Sequence, residues 1–138
     1  MGISLNHTIV HARDPEATAR YLADMLQLPP PSRLGHFIVL QVGETSLDFI
    51  QTSGEIASRH FAFLASEDEF DQIFNRILES SIPYWADPFH TEPNQINHWD
   101  DGRGVYFDDP NGHLIEIITR PYGSGGLHAK HPNPLLAR

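Results

Sequence analysis

The chain of 138 residues carries 9 Lys and Arg against 18 Asp and Glu, a formal net charge of −9, with 9 His and no Cys. A hydrophobic share of 40%, including 2 Trp, 4 Tyr and 8 Phe, suffices for one buried core and sets aside intrinsic disorder and a second independent domain. Without Cys, disulfides and thiolate chemistry are excluded, and any metal must be held by imidazole and carboxylate, donors suited to iron, manganese, nickel or zinc. No Lys/Arg cluster is present to replace counterions on a phosphate backbone, so nucleic acid is not an expected partner. The opening MGISLNHTIVHARD lacks a basic signal-type segment, and nowhere do about 18 apolar residues run together, which predicts a cytoplasmic protein without membrane contact.

Residues Ile3 to Ala12, rich in Ile, Val and Thr, predict a strand. Asp14-Pro15-Glu16 then supplies a helix cap, a Pro for the first helical position and a first-turn acid. Tyr21, Leu22, Met25 and Leu26 mark one helical face as far as about Gln27, before Pro29-Pro30-Pro31 stops the helix. Strands follow at Gly35 to Val42 and Thr45 to Gln51, joined by a hairpin at Gly43-Glu44. Arg59 to Ala65 is again a strand, and Ser66 with Glu69 matches a capping box ahead of Phe70, Ile73, Phe74, Ile77 and Leu78. Pro83 to Phe89 is expected to be extended. A polar loop leads to a strand from Gly104 through Phe107, a turn at Asp109-Pro110-Asn111-Gly112 and a last strand from His113 to Thr119.

That order repeats: strand, helix, small antiparallel set, and the same again. At an offset of 53 residues His7 falls on His60, Tyr21 on Phe74 and Met25 on Leu78; matching the last strands by pattern sets Asp48 against Glu116. The repeat spans residues 3–119, and the Gly/Pro-rich segment 121–138 reads as a mobile tail or a partner-binding arm.

Glu116 sits in Leu-Ile-Glu-Ile-Ile, apolar on both faces, so its carboxylate is expected inside, where an unpaired charge costs several kcal/mol or more and must be neutralised, paired or metal-bound. His60 in Arg-His-Phe-Ala-Phe-Leu and His7 in Leu-Asn-His-Thr-Ile-Val occupy corresponding places. Two imidazoles and one carboxylate on one face of Fe(II) leave positions open for substrate and oxygen, and His7, His60 and Glu116 form such a set. Each His alone reads more readily as hydrogen-bonded structure or as surface than as a ligand. Asp48 is a further candidate, as a fourth ligand or base, or else as a residue facing water.

These residues resemble the vicinal oxygen chelate superfamily, which contains glyoxalases, fosfomycin-modifying enzymes, bleomycin-binding proteins and extradiol ring-cleavage dioxygenases. The resemblance implies an α+β fold of two tandem βαβββ modules, about 3–52 and 58–120, in a single domain 1–120, their mixed sheets curled and partly closed around a central metal pocket. His7, His60 and Glu116 fall at the family's metal-ligand positions. The stretch from Ile96-Asn97-His98 to Val105-Tyr106-Phe107-Asp108-Asp109-Pro110-Asn111-Gly112-His113-Leu114-Ile115-Glu116 resembles the extradiol motif, with His98 and Tyr106 at its pocket His and pocket Tyr. By themselves, His98 also reads as an exposed loop imidazole and Tyr106 as a packing residue with its hydroxyl at water.

Extradiol members carry a further acid–base His between the two ligand histidines; only His11 and His36 lie in that interval and neither falls at the matching place, His36, at the start of a strand, being the better candidate for the pocket. Trp99, Tyr84 and Trp85 read either as aromatic residues near the opening that stack on a ring or, at least as readily, as core residues. His90, His113, His128 and His131 lack a partner at ligand spacing.

The resulting expectation is a mononuclear dioxygenase holding Fe(II), with Mn(II), Ni(II) or Zn(II) as other metals. It would act, as a homodimer, on a catechol- or enediol-like molecule that chelates the metal through adjacent oxygens. A glyoxalase-like isomerase, a thiol transferase of the fosfomycin-resistance type and a metal-free binder of the bleomycin-resistance type are the alternatives.

Overall fold

A computed structural model describes residues 2–137, which divide into two compact units: residues 2–58 with Asp109–Asn111, and Arg59–Asp108 with residues 112–137. In the first unit β1 (His7–Ala12) leads into α1 (Pro15–Leu26), where the Asp14 side chain accepts the Ala17 amide and Pro15 occupies the first turn. The helix ends at Gln27 in the left-handed region, φ 55°, where the cap amide still reaches the Ala23 carbonyl. Then come β2 (Ser32–Leu34), β3 (Phe37–Val42) and β4 (Thr45–Gln51), in the sheet order β1-β4-β3-β2. β1 runs parallel to β4 and the other pairs are antiparallel.

Alternation along these strands sends Val10, Ala12, Ile38, Leu40, Leu47 and Phe49 to one face, where all are buried and α1 packs with Leu22 and Met25. Each large apolar side chain so buried contributes about 1.5–3 kcal/mol before entropy is counted. His7, Ile9 and His11 fall on the other face and are exposed.

The second unit repeats the strand–helix opening, with β5 (His60–Leu64) and α2 (Glu67–Glu79), the latter begun by the full Ser66–Glu69 capping box. β6 (Gly104–Asp108) and β7 (Leu114–Ile118) complete a sheet of order β5-β7-β6, with β5 parallel to β7. Val105, Phe107, Ile115 and Ile117 form its buried face, and Phe70 and Ile77 of α2 are equally enclosed. Arg103 ties helix to sheet, its guanidinium 4.5 Å over the Phe70 ring and paired with Glu67 and Asp71 at 2.8 Å each.

The fold is thus mixed α+β, with sheets of four and three strands and two helices, and neither sheet closes, contrary to the partly closed sheets expected. β1 begins at His7 rather than Ile3. The short strand β2 was not anticipated, because the three prolines before it read as plain loop. Between residues 83 and 89 only Trp85 enters the sheet, through an isolated bridge to Tyr106; the rest is a loop organised by Asp87. The Asp87 carboxylate accepts the Thr91 hydroxyl and the amides of Phe89, Thr91 and Glu92. Burial opposes its ionisation, but these bonds prevail and hold it below the usual carboxylate range.

The segment after Pro121, read as a mobile tail or a partner-binding arm, bonds through its backbone amides to two neighbouring carboxylates. The Gly123 and Gly125 amides donate to the Asp100 carboxylate, and those of Lys130 and His131 to Asp101. Among the described residues no helix is long and apolar enough to cross a membrane.

Candidate metal centre

In the ladder of the second sheet Glu116 lies between Ala62 on β5 and Tyr106 on β6. Directly paired residues share a face, and His60, two before Ala62, shares it too. Glu116 is 1% exposed, and both of its oxygens are engaged: Tyr106 Oη donates to Oε2 at 2.7 Å, and His60 Nε2 stands 2.9 Å from Oε1. Burial first, and then the bond to Glu116, push the Tyr106 phenol far above its ordinary pKa, so it donates its proton without releasing it.

His60, its side chain 46% exposed, is the solvent-facing member of the pair. In this arrangement its Nε2 carries a proton toward the carboxylate. The same two atoms fit a divalent ion, because adjacent ligands about 2.1 Å from one ion stand about 3 Å apart, and imidazole with carboxylate suits iron, manganese, nickel or zinc.

Trp99, in the short 3₁₀ turn Trp99–Asp101, meets Tyr106 edge-on with ring centroids 6.1 Å apart. His98 precedes it. Its Nδ1 lies 3.2 Å from the Gly102 carbonyl and therefore bears the hydrogen, leaving Nε2 as the basic nitrogen of the neutral ring. The His98 ring lies beside His131, 6.1 Å between centroids. Gly104 is needed where it is: a Cβ there would come within 2.8 Å of Asn97 Oδ1, and Asn97 bonds the Ala86 carbonyl and the Trp99 amide.

The remaining candidates belong to the first unit. His7 Nδ1 donates to Asn6 Oδ1 at 2.7 Å, which leaves Nε2 as the nitrogen able to bind a metal. Asp48, opposite Ile9 in the β1–β4 ladder, accepts from Ser46 Oγ at 2.8 Å. His36 is in the turn between β2 and β3 rather than at the start of a strand, and lines a polar cleft of about 340 Å³ with Arg13 and Arg33. Of the three expected ligands, His60 and Glu116 are brought into contact. Among the described residues no set of three His, Asp or Glu side chains is arranged to hold a metal ion.

Sequence reasoning passed over His90. It stacks on Trp85, centroids 3.8 Å apart and 28° between planes, and its Nε2 is 3.2 Å from Asp108 Oδ1. Nothing in the Asp-Pro-Phe-His-Thr run signals this beyond the Asp87–Thr91 spacing of a side-chain-closed loop. His113, by contrast, is structural: it is 1% exposed and its Nδ1 accepts the Arg59 amide.

An open strand face bearing a buried carboxylate, an imidazole and a phenol on paired strands fits the vicinal oxygen chelate class. Residues 4–117 match the Glyoxalase/Bleomycin resistance protein/Dioxygenase superfamily, and the chain belongs to that family. Its members typically use divalent metals, bind small molecules and often act as dimers.

A similar solved structure is that of Oxidase ChaP-H2, 55% identical with a TM-score of 0.88, the match covering 91% of this chain and 100% of that one. Metallothiol transferase FosB of Shouchella clausii (strain KSM-K16) is 35% identical over 60 residues; the match spans 44% of this chain and only 37% of that protein. The fosfomycin resistance protein FosX of Mesorhizobium loti, 21% identical with a TM-score of 0.65 over 87% of this chain and 94% of its own, shares the fold.

Proposed function

We propose that this protein is a mononuclear metalloenzyme in which His7, His60 and Glu116 hold a divalent metal, Fe(II) foremost, and that it oxidises a small aromatic substrate through two adjacent oxygens, in the manner of an extradiol dioxygenase. The observation that carries this reading is the Glu116 carboxylate, almost wholly buried yet joined to His60 on an open strand face. The 55% identity to a protein named an oxidase, across the whole of that chain, favours oxygen chemistry.

A bound divalent ion would supply a Lewis acid that lowers the pKa of a chelating hydroxyl. Tyr106 fixes the carboxylate, since its phenol stays protonated and is committed to Oε2, which turns Oε1 toward His60. As a ligand His60 would present Nε2 without its hydrogen, the ring proton then standing on Nδ1. His98, with its hydrogen on Nδ1, is the residue we assign to accept a substrate proton at Nε2. Trp99 offers an aromatic edge beside Tyr106. Residues 1–120 act in this reading as one domain of two βαβββ modules, with 121–138 as an appended tail, in a cytoplasmic homodimer. Asp48 and His36 have no role in it.

The partial likeness to a metallothiol transferase favours a second reading, thiol addition to an epoxide. Oxygen uptake separates the two. Protein loaded anaerobically with Fe(II) is expected to consume oxygen with catechol and to stop doing so as Glu116→Gln. Thiol-dependent loss of fosfomycin with no oxygen uptake on any catechol would establish the second reading instead.

A further inference from the structure

The face of the second sheet that carries the metal pair extends beyond it. Trp85 and Tyr106 exchange both backbone hydrogen bonds, at 2.9 Å each, so their side chains share a face about 5.5 Å apart at the backbone. Asp108, two residues after Tyr106 on β6, is on that face about 7 Å further along the strand. His90 joins the two, stacked on the Trp85 ring and 3.2 Å from Asp108 Oδ1. Its side chain is 40% exposed and that of Asp108 37%, so both are reached by solvent.

Holding His90 there is costly. Its φ is 60°, in the left-handed region that favours glycine and strains another residue. The loop is over-determined to pay that cost: Asp87 takes the amides of Phe89, Thr91 and Glu92 on either side of His90, along with the Thr91 hydroxyl. A strained residue held by a dedicated carboxylate, on the same face as the candidate metal pair, points to a use for its side chain.

We propose that Trp85, His90 and Asp108 form a second subsite that receives the far end of the substrate. Its ligand is a planar aromatic compound whose vicinal oxygens lie at the Glu116 end and whose far end carries a hydroxyl. That hydroxyl donates to the His90–Asp108 pair, while Trp85 and His90 provide a flat wall for the ring. This rests on the reading of Glu116 and His60 as the metal pair and adds to it a determinant of substrate length and polarity.

The test uses full-length protein loaded with Mn(II) under anaerobic conditions, so that binding is measured without turnover, and two probes. Catechol reaches only the Glu116 end; naphthalene-2,3,6-triol is a catechol whose fused ring ends in a hydroxyl. Calorimetry is expected to show the triol bound at least about tenfold more tightly than catechol. In His90→Asn, which keeps a residue tolerant of positive φ, and in Asp108→Asn, that advantage should vanish while catechol affinity stays within about twofold. Equal binding of the two probes by the wild type, or an advantage that survives both substitutions, overturns the subsite and leaves the metal reading standing. Failure of both probes to bind the Mn(II)-loaded wild type overturns the two together.

Discussion

The two sheets set a carboxylate at the same place in the same kind of ladder and make different things of it. On β4, Asp48 is opposite Ile9 of the parallel strand β1 and Val39 of β3; on β7, Glu116 is opposite Ala62 of the parallel strand β5 and Tyr106 of β6. His7 and His60 each stand two residues before the parallel partner. Val39 has nothing to donate, and Asp48 takes its bond from Ser46 and remains half-buried. Tyr106 does donate, and with it Glu116 is sealed to 1% exposure against His60. The backbone ladder places a carboxylate; the cross-strand neighbour decides whether burying it is affordable.

Substituting the carboxylates should separate the sheets most sharply. Glu116→Ala is expected to lower Fe(II) affinity by more than about 100-fold, measured by retention after desalting, since it removes a ligand outright. Tyr106→Phe should come next: it leaves the buried Oε2 without its donor, at about 1–3 kcal/mol in urea unfolding, and should slow turnover while sparing metal stoichiometry.

The raised Tyr106 pKa makes a further test, because the folded state keeps a proton that the unfolded chain loses above about pH 10, so stability falls as pH rises past that point. Tyrosinate absorbance should therefore rise equally in wild type and Tyr106→Phe until the wild type unfolds. The Asp87 loop of the second unit gives the acid counterpart. Its depressed pKa lends stability above about pH 4 that is lost as pH falls through the folded value, so the urea midpoint should drop more between about pH 5 and 3 in wild type than in Asp87→Asn. The smallest effect is expected from Asp48→Asn, within about 0.5 kcal/mol and with metal content unchanged. A large loss of metal there would break the comparison between the sheets.

Much of this was legible in the residues. The Asp14 and Ser66 caps, the hairpin at Gly43, whose φ of 61° suits glycine, and the burial of Glu116 follow from local rules of capping, turn chemistry and apolar flanks. The bond from Tyr106 to Glu116 was not legible: the phenol reads as a pocket Tyr or as a packing residue with its hydroxyl at water, and the bond needs the β6–β7 register that pairs the two residues. What the residues did not disclose depends on contacts distant in sequence or on loop closure. β2 is a three-residue strand with every residue exposed, which no periodicity marks. The tail is held by backbone amides on Asp100 and Asp101, and amides leave no trace in a side-chain pattern. His90 reaches Trp85 and Asp108 only because Asp87 closes the loop around it.

The central claim is that the carboxylate of the second sheet, and not its counterpart in the first, anchors a metal. It is tested most directly by loading protein with Fe(II) without oxygen, desalting it and measuring bound metal in wild type, His60→Ala and Asp48→Asn. The account predicts about one metal per chain in wild type and in Asp48→Asn, and loss of it in His60→Ala. Stoichiometric metal surviving in His60→Ala, or none retained by the wild type, would contradict it.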